Sequence, residues 1–109
     1  MNYLPVDKFG MIDTSDLENI ISKKTSLVSV MFGNNEVGTI QPIAKIAKIC
    51  HKNKVLFHTD AVQAVGKLSV DVKELGADLL SISSHKLHGP KGIGALYIKD
   101  GIKIDPIIL

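Results

Sequence analysis

Ser83-Ser84-His85-Lys86-Leu87-His88-Gly89-Pro90-Lys91-Gly92 follows directly on the apolar run Asp78 to Ile82, and its reading decides the fold. The run is short and almost uninterrupted, as a buried strand requires, and the block after it is polar and rich in turn residues. Upstream, Val55-Leu56-Phe57 gives way to His58-Thr59-Asp60 in the same manner. Further upstream, the β-branched stretch Leu27-Val28-Ser29-Val30-Met31-Phe32 ends at Gly33-Asn34-Asn35. Three apolar runs thus share one grammar, strand first and chemistry-bearing side chains after.

The stretches between them read as helices. Ser15-Asp16-Leu17-Glu18 has the spacing of a capping box and predicts a short helix from about Asp16 to Ser22. Pro42 suits a first helical position, and Ile43, Ile46, Ala47 and Cys50 recur at helical spacing, so a helix should stop near Asn53. Val72-Lys73-Glu74-Leu75 before Gly76 predicts a brief helix. Val55 to Thr59 and Asp78 to Ser83 are the second and third strands, and Ile93 to Ile98 the fourth. Alternating strands and helices predict an α/β layered sheet whose first three strands run parallel. The link from Ser83 to Ile93 is too short for a parallel crossover, so the fourth strand should run antiparallel and the sheet should be mixed.

Composition narrows the function classes. At 109 residues the chain is one small domain, and a net charge of +2 with scattered basic residues argues for neither nucleic acid nor an anionic membrane. No stretch reaches the roughly 18–20 apolar residues of a membrane span, and the start lacks a signal-peptide pattern. One cysteine allows no internal disulfide and points to a reducing cytoplasm. The 45% hydrophobic content and the uncapped apolar end Asp105-Pro106-Ile107-Ile108-Leu109 predict a segment of a longer protein. Cys50 shares its helical face with Ile43, Ile46 and Ala47, which marks a core position and not a nucleophile. Gly89 to Gly94 lacks the spacing of a nucleotide-binding loop and precedes a strand, so its glycines serve a tight turn.

Ligands of open α/β sheets bind at the carboxyl ends of the strands. That rule gathers Asn34, Asn35, Asp60 and Ser83 to Lys86 on one rim. A lysine amine attacks an aldehyde only in its free form, which a partly desolvated, electropositive site favours. A carboxylate keeps a pyridine nitrogen protonated, and hydroxyl and imidazole donors suit a phosphate. Lys86, Asp60, Ser83 and His85 therefore answer the needs of pyridoxal 5'-phosphate, with Gln63 in reach of the ring's phenolic oxygen.

These residues resemble the cysteine desulfurases of the class V aminotransferase superfamily. The resemblance runs through Tyr3-Leu4-Pro5-Val6-Asp7, Asn34-Asn35-Glu36-Val37-Gly38-Thr39-Ile40-Gln41-Pro42, His58-Thr59-Asp60-Ala61-Val62-Gln63 and Ser84-His85-Lys86-Leu87-His88-Gly89-Pro90-Lys91-Gly92. It implies part of the large domain of a fold-type I pyridoxal phosphate-dependent transferase, with the N-terminal part and the small domain absent. By the resemblance, Lys86 is the catalytic lysine that holds the cofactor. Asp60 partners the pyridinium, Gln63 meets the phenolic oxygen, Ser83 and His85 bind phosphate, and Asn35 lines the cofactor and substrate site. Family members take sulfur from L-cysteine, leaving alanine and an enzyme persulfide that a sulfur acceptor or scaffold protein draws on for iron–sulfur cluster or thiolated-RNA synthesis. They are typically homodimers. The ring-stacking histidine and the loop cysteine of the family lie outside this chain, so the segment alone should be inactive.

Two other readings compete. A selenocysteine lyase or aminotransferase of the same superfamily shares the cofactor residues. A metal-dependent hydrolase would draw on His58, Asp60, His85 and His88, although a lysine inside such a cluster repels a cation.

Overall fold

Asp13 starts the first helix. In the computed structural model, which describes residues 1–107, its carboxylate accepts from the Ser15 backbone N–H at 2.8 Å and from the Ser15 hydroxyl at 2.7 Å. Helix α1 therefore spans Thr14–Ile20, two residues ahead of the start expected from the capping box. Ser15 fits the capping template, but Asp13 meets the first free N–H groups earlier and with a charged acceptor. Ile108 and Leu109, the close of the apolar terminal run, lie outside the described residues.

Four strands follow the expected grammar. β1 spans Leu27–Met31, β2 Leu56–Asp60, β3 Leu79–Ser83 and β4 Gly94–Ile98. Val55 falls outside β2 because its N–H closes a turn onto the Cys50 carbonyl at 3.0 Å. Between them, α2 runs Ile43–Lys52 from Pro42 to Asn53, as its periodicity predicts. The short α3, Val72–Leu75, is capped by the Asp71 carboxylate and ended by Gly76 at φ 68°. The strand order is β1-β2-β3-β4, with β1 to β3 parallel and β4 antiparallel to β3. The fold is the mixed α/β sheet that the strand spacing demanded.

Register and alternation give the sheet two unlike faces. Val28, Val30, Phe57, Thr59 and Leu80 point to one side, where α2 covers them with Ile43, Ile46, Ala47 and Cys50. Full burial of a side chain such as Phe57 or Ile46 contributes about 2–3 kcal/mol each, and this layer is the core. The other side carries Leu27, Met31, Leu56, Leu96 and Ile98, all exposed. β4 is exposed along its whole length.

Candidate functional site

The carboxyl ends of β2 and β3 are locked side by side. Asp60 pairs with Ser81 in register, and the Ala61 N–H continues the ladder to the Ser81 carbonyl at 3.0 Å. Asp60 turns the chain at this point: its Oδ1 accepts from the Val62 N–H at 2.9 Å. Among the described residues its second oxygen meets no donor, and the side chain is half-buried. The chain then coils once, with the Ala64 and Val65 N–H groups on the Ala61 carbonyl at 2.9 and 3.0 Å. Gln63 sits on that coil, half-buried, in a tight turn.

Beyond β3 the chain enters a single 3-10 turn, Ser84–Leu87, that the sequence did not announce. His88 closes it at φ 61°, and the Gly89 N–H returns to the Ser84 carbonyl at 2.9 Å. The Ser84 hydroxyl donates to the Pro90 carbonyl, and the Ser84 N–H to Ile93 at 3.0 Å. A side chain at Gly89 would stand 3.0 Å from Ser84 Cβ, so the backbone there is packed as closely as glycine allows. The turn is thus held at both ends, and it presents Lys86 outward. Lys86 is exposed, and among the described residues no carboxylate lies within ion-pair distance of it. Ser83 and His85 flank it, joined by a 2.7 Å hydrogen bond between Ser83 Oγ and His85 Nδ1.

One contact couples the two strand ends. Gly66, at φ 83°, lies so near Leu87 that an added Cβ would fall 2.7 Å from Leu87 Cδ2. The coil carrying Gln63 therefore packs against the turn carrying Lys86. The third contribution comes from the loop after β1. Asn34 builds that loop, its side-chain oxygen accepting from the Glu36 and Val37 N–H groups at 2.8 and 3.1 Å and its backbone pairing with Thr39 and Gly38. Asn34 is a turn residue, and the loop leaves the Asn35 side chain exposed.

Behind the rim, His58 hydrogen-bonds Ser29 through Nδ1 at 2.7 Å and Ser81 through Nε2 at 2.8 Å. Desolvation holds its imidazole below the ordinary value, against the smaller upward pull of the Asp60 charge. The metal-hydrolase set does not assemble, since among the described residues no three His, Cys, Asp or Glu side chains come together to hold an ion. Cys50 is buried on α2, and desolvation, with the Asp78 charge, pushes its thiol up to about 11. Such a thiol is no nucleophile near neutral pH. A concavity of about 840 Å³ runs along the uncovered β1 and the N-terminal segment, and Asn34 is its one rim residue. It follows from an open sheet edge and not from the chemistry.

What the rim offers is a carboxylate with an uncommitted oxygen, an unpaired amine and a hydroxyl–imidazole pair, two strands wide. That donor set fits a ligand bearing a protonated ring nitrogen, an aldehyde and an anionic group.

The chain has relatives among known proteins. The chain is 56% identical over 108 residues to "Cysteine desulfurase IscS" of Methanosarcina thermophila, covering 99% of this chain and 27% of that protein. Among solved structures, "SspA in complex with cysteine" superposes with a TM-score of 0.93 at 41% identity, over 98% of this chain and 31% of that one. A "NIFS-LIKE PROTEIN" superposes with a TM-score of 0.92 at 47% identity, over 98% and 30% of the two chains. The chain thus spans 27% of the length of the curated relative it matches. The family described as "Aminotransferase class-V" matches residues 1–107, and the chain belongs to it.

Proposed function

We propose that these 109 residues are the central part of the large domain of a pyridoxal phosphate-dependent cysteine desulfurase, and that the carboxyl rim of the sheet is its cofactor site. The observation that carries the reading is the coupling of the Asp60 and Lys86 segments on adjacent strands, with Asp60 keeping one oxygen uncommitted. The 56% identity to a named cysteine desulfurase supports it. The exposed outer face of the sheet, Leu27, Met31, Leu56, Leu96 and Ile98, supports the segment reading, because parallel sheets are normally covered on both faces.

When bound, pyridoxal phosphate supplies an electron sink that loosens bonds at the amino-acid α and β carbons. The chain's own residues do the rest. Asp60 holds a proton on the ring nitrogen by charge. Lys86 would hold the aldehyde carbon, and its amine would be the group placed to move a proton at the substrate α carbon. Ser83 and His85 grip the phosphate, Gln63 donates to the phenolic oxygen, and Asn35 lines the substrate side.

In the overall reaction, L-cysteine and an enzyme thiol give L-alanine and an enzyme persulfide. The substrate Cβ–S bond breaks and an S–S bond forms. The two sulfurs give up the electron pair that, with a proton, completes the alanine methyl, so no external oxidant or reductant enters. Cys50 is buried and does not take this part, and on this reading the attacking thiol lies outside these residues. The parent is a homodimer that passes its persulfide to an acceptor or scaffold protein, in a compartment reducing enough to keep a thiol free.

Borohydride trapping tests the reading. The chain is incubated with pyridoxal phosphate and reduced, and the labelled lysine is mapped by peptide mass beside Lys86→Ala. Selective label on Lys86, lost in the variant, is expected. Label spread over many lysines, or unchanged in Lys86→Ala, would overturn it.

A further inference from the structure

Resting on that reading, we infer that His58 is a positioning residue, which ties the three parallel strands together beneath the rim and holds the Asp60 carboxylate ready for the ring nitrogen. Period-two alternation puts His58 and Asp60 on the same face of β2, one side-chain step apart. Ser29 is the register partner of His58 on β1. Ser81 is the register partner of Asp60 on β3, so the bond from His58 to Ser81 runs diagonally toward the level of the carboxylate. One imidazole therefore bridges β1, β2 and β3 by side chains, in addition to their backbone ladders.

The chemistry of the bridge suits its place. A neutral imidazole has one N–H to give and one lone pair to receive, and each serine hydroxyl can take either role. Both ring nitrogens are satisfied without a proton being added, and a neutral ring leaves the negative charge of Asp60 uncompensated. A cation at position 58 would neutralise that carboxylate and weaken its hold on a pyridinium. The face around the bridge is apolar, with Leu79 and Ile98 continuing its row across the sheet and Met31 and Leu96 flanking Asp60 and Ser81. A layer packed on that face would shut water away from the serine–histidine line and strengthen it.

The test separates positioning of Asp60 from mere support of the fold by using two ligands. Pyridoxal phosphate and its carbocyclic analogue, in which carbon replaces the ring nitrogen, have nearly the same shape, but only the first can pair with Asp60. Dissociation constants for both are measured on the chain and on His58→Leu, Ser29→Ala and Ser29→Thr. The wild-type chain should prefer pyridoxal phosphate, and His58→Leu should lose about tenfold of that preference, the size of one lost hydrogen bond to a charged group. Ser29→Thr, which keeps the hydroxyl, should retain the preference, and Ser29→Ala should lose part of it. Equal weakening toward both ligands would show a structural role only and overturn the inference.

A second readout needs no cofactor. In nitrogen-15 spectra the His58 ring should show one protonated and one bare nitrogen, each held in place. Averaged ring nitrogens would overturn the bridge itself. A held tautomer in a chain that never labels Lys86 would instead remove the cofactor reading, and with it the purpose assigned to His58, while leaving the bridge standing.

Discussion

Asp60 and Asp78 stand at opposite ends of the same sheet and lead opposite lives. Asp78, just before β3, is 4% exposed and fully engaged. Its Oδ2 accepts from the Phe57 N–H and from His51 Nε2, both at 2.9 Å, and its Oδ1 meets Lys99 Nζ at 3.4 Å. Asp60, just at the end of β2, spends one oxygen on the Val62 N–H and keeps the other. A carboxylate whose acceptors are all taken by its own chain belongs to the fold. One that keeps an oxygen free of donors among the described residues, at the carboxyl end of a strand, is available to a ligand. The amino end of the sheet is closed by its own contacts, and the carboxyl end leaves an acceptor open.

Breaking the comparison starts at its stronger end. Asp78→Ala strips the Phe57 N–H and His51 of their partner inside the protein, and should cost about 2–3 kcal/mol in urea unfolding. Asp60→Ala should cost only about 1 kcal/mol, the scale of a lost cap, yet abolish the preference for pyridoxal phosphate over its carbocyclic analogue. Comparable stability losses at the two sites would erase the distinction.

Acid titration sharpens the same contrast. Burial pushes the Asp78 carboxyl up, but the Phe57 N–H and His51 together outweigh it and hold the group below its ordinary 3.8. The stabilisation is therefore complete above 3.8 and is lost as pH falls through the lowered folded value. Asp78→Asn should flatten that acid limb. His58 acts in a higher window: its folded value lies below 6.5, so its neutral form favours the fold above 6.5 and this contribution drains away as pH falls through the lowered value. His58→Gln should remove the second slope and leave the first.

Two turns give the smallest effects. Gly66→Ala forces a side chain into φ 83°, and should cost about 1 kcal/mol while loosening the Lys86 turn through Leu87. At the amino end, Lys54 sits at φ 58° between α2 and β2, so Lys54→Gly should raise stability by up to about 1 kcal/mol without touching ligand binding. Thermal unfolding with and without pyridoxal phosphate reads both.

The sequence carried the frame because the frame is local. Apolar runs, helical spacing in Ile43 to Cys50 and the short Ser83–Ile93 link were enough for the mixed sheet. The α1 start was misplaced because two overlapping capping patterns compete there, and the tighter acceptor, Asp13, wins. The 3-10 turn at Ser84–Leu87 is a single turn and leaves no periodic trace. Rim residues were legible as strand-end polar groups, but the roles of Asp78 and His58 were not. Asp78 looks like a strand start until Phe57 and His51 are seen across the fold, and the serine partners of His58 exist only once the register of three strands is known. Long-range pairing has no signature in a single stretch of chain.

The central claim, that the carboxyl rim preorganises Lys86 for a cofactor aldehyde, is tested most directly by the distribution of borohydride label over the 13 lysines, in the wild-type chain and in Asp60→Asn. The account predicts label concentrated on Lys86 in the wild type and markedly reduced there in Asp60→Asn, with the other lysines unchanged. Label spread in proportion to lysine exposure, and indifferent to Asp60, would contradict it.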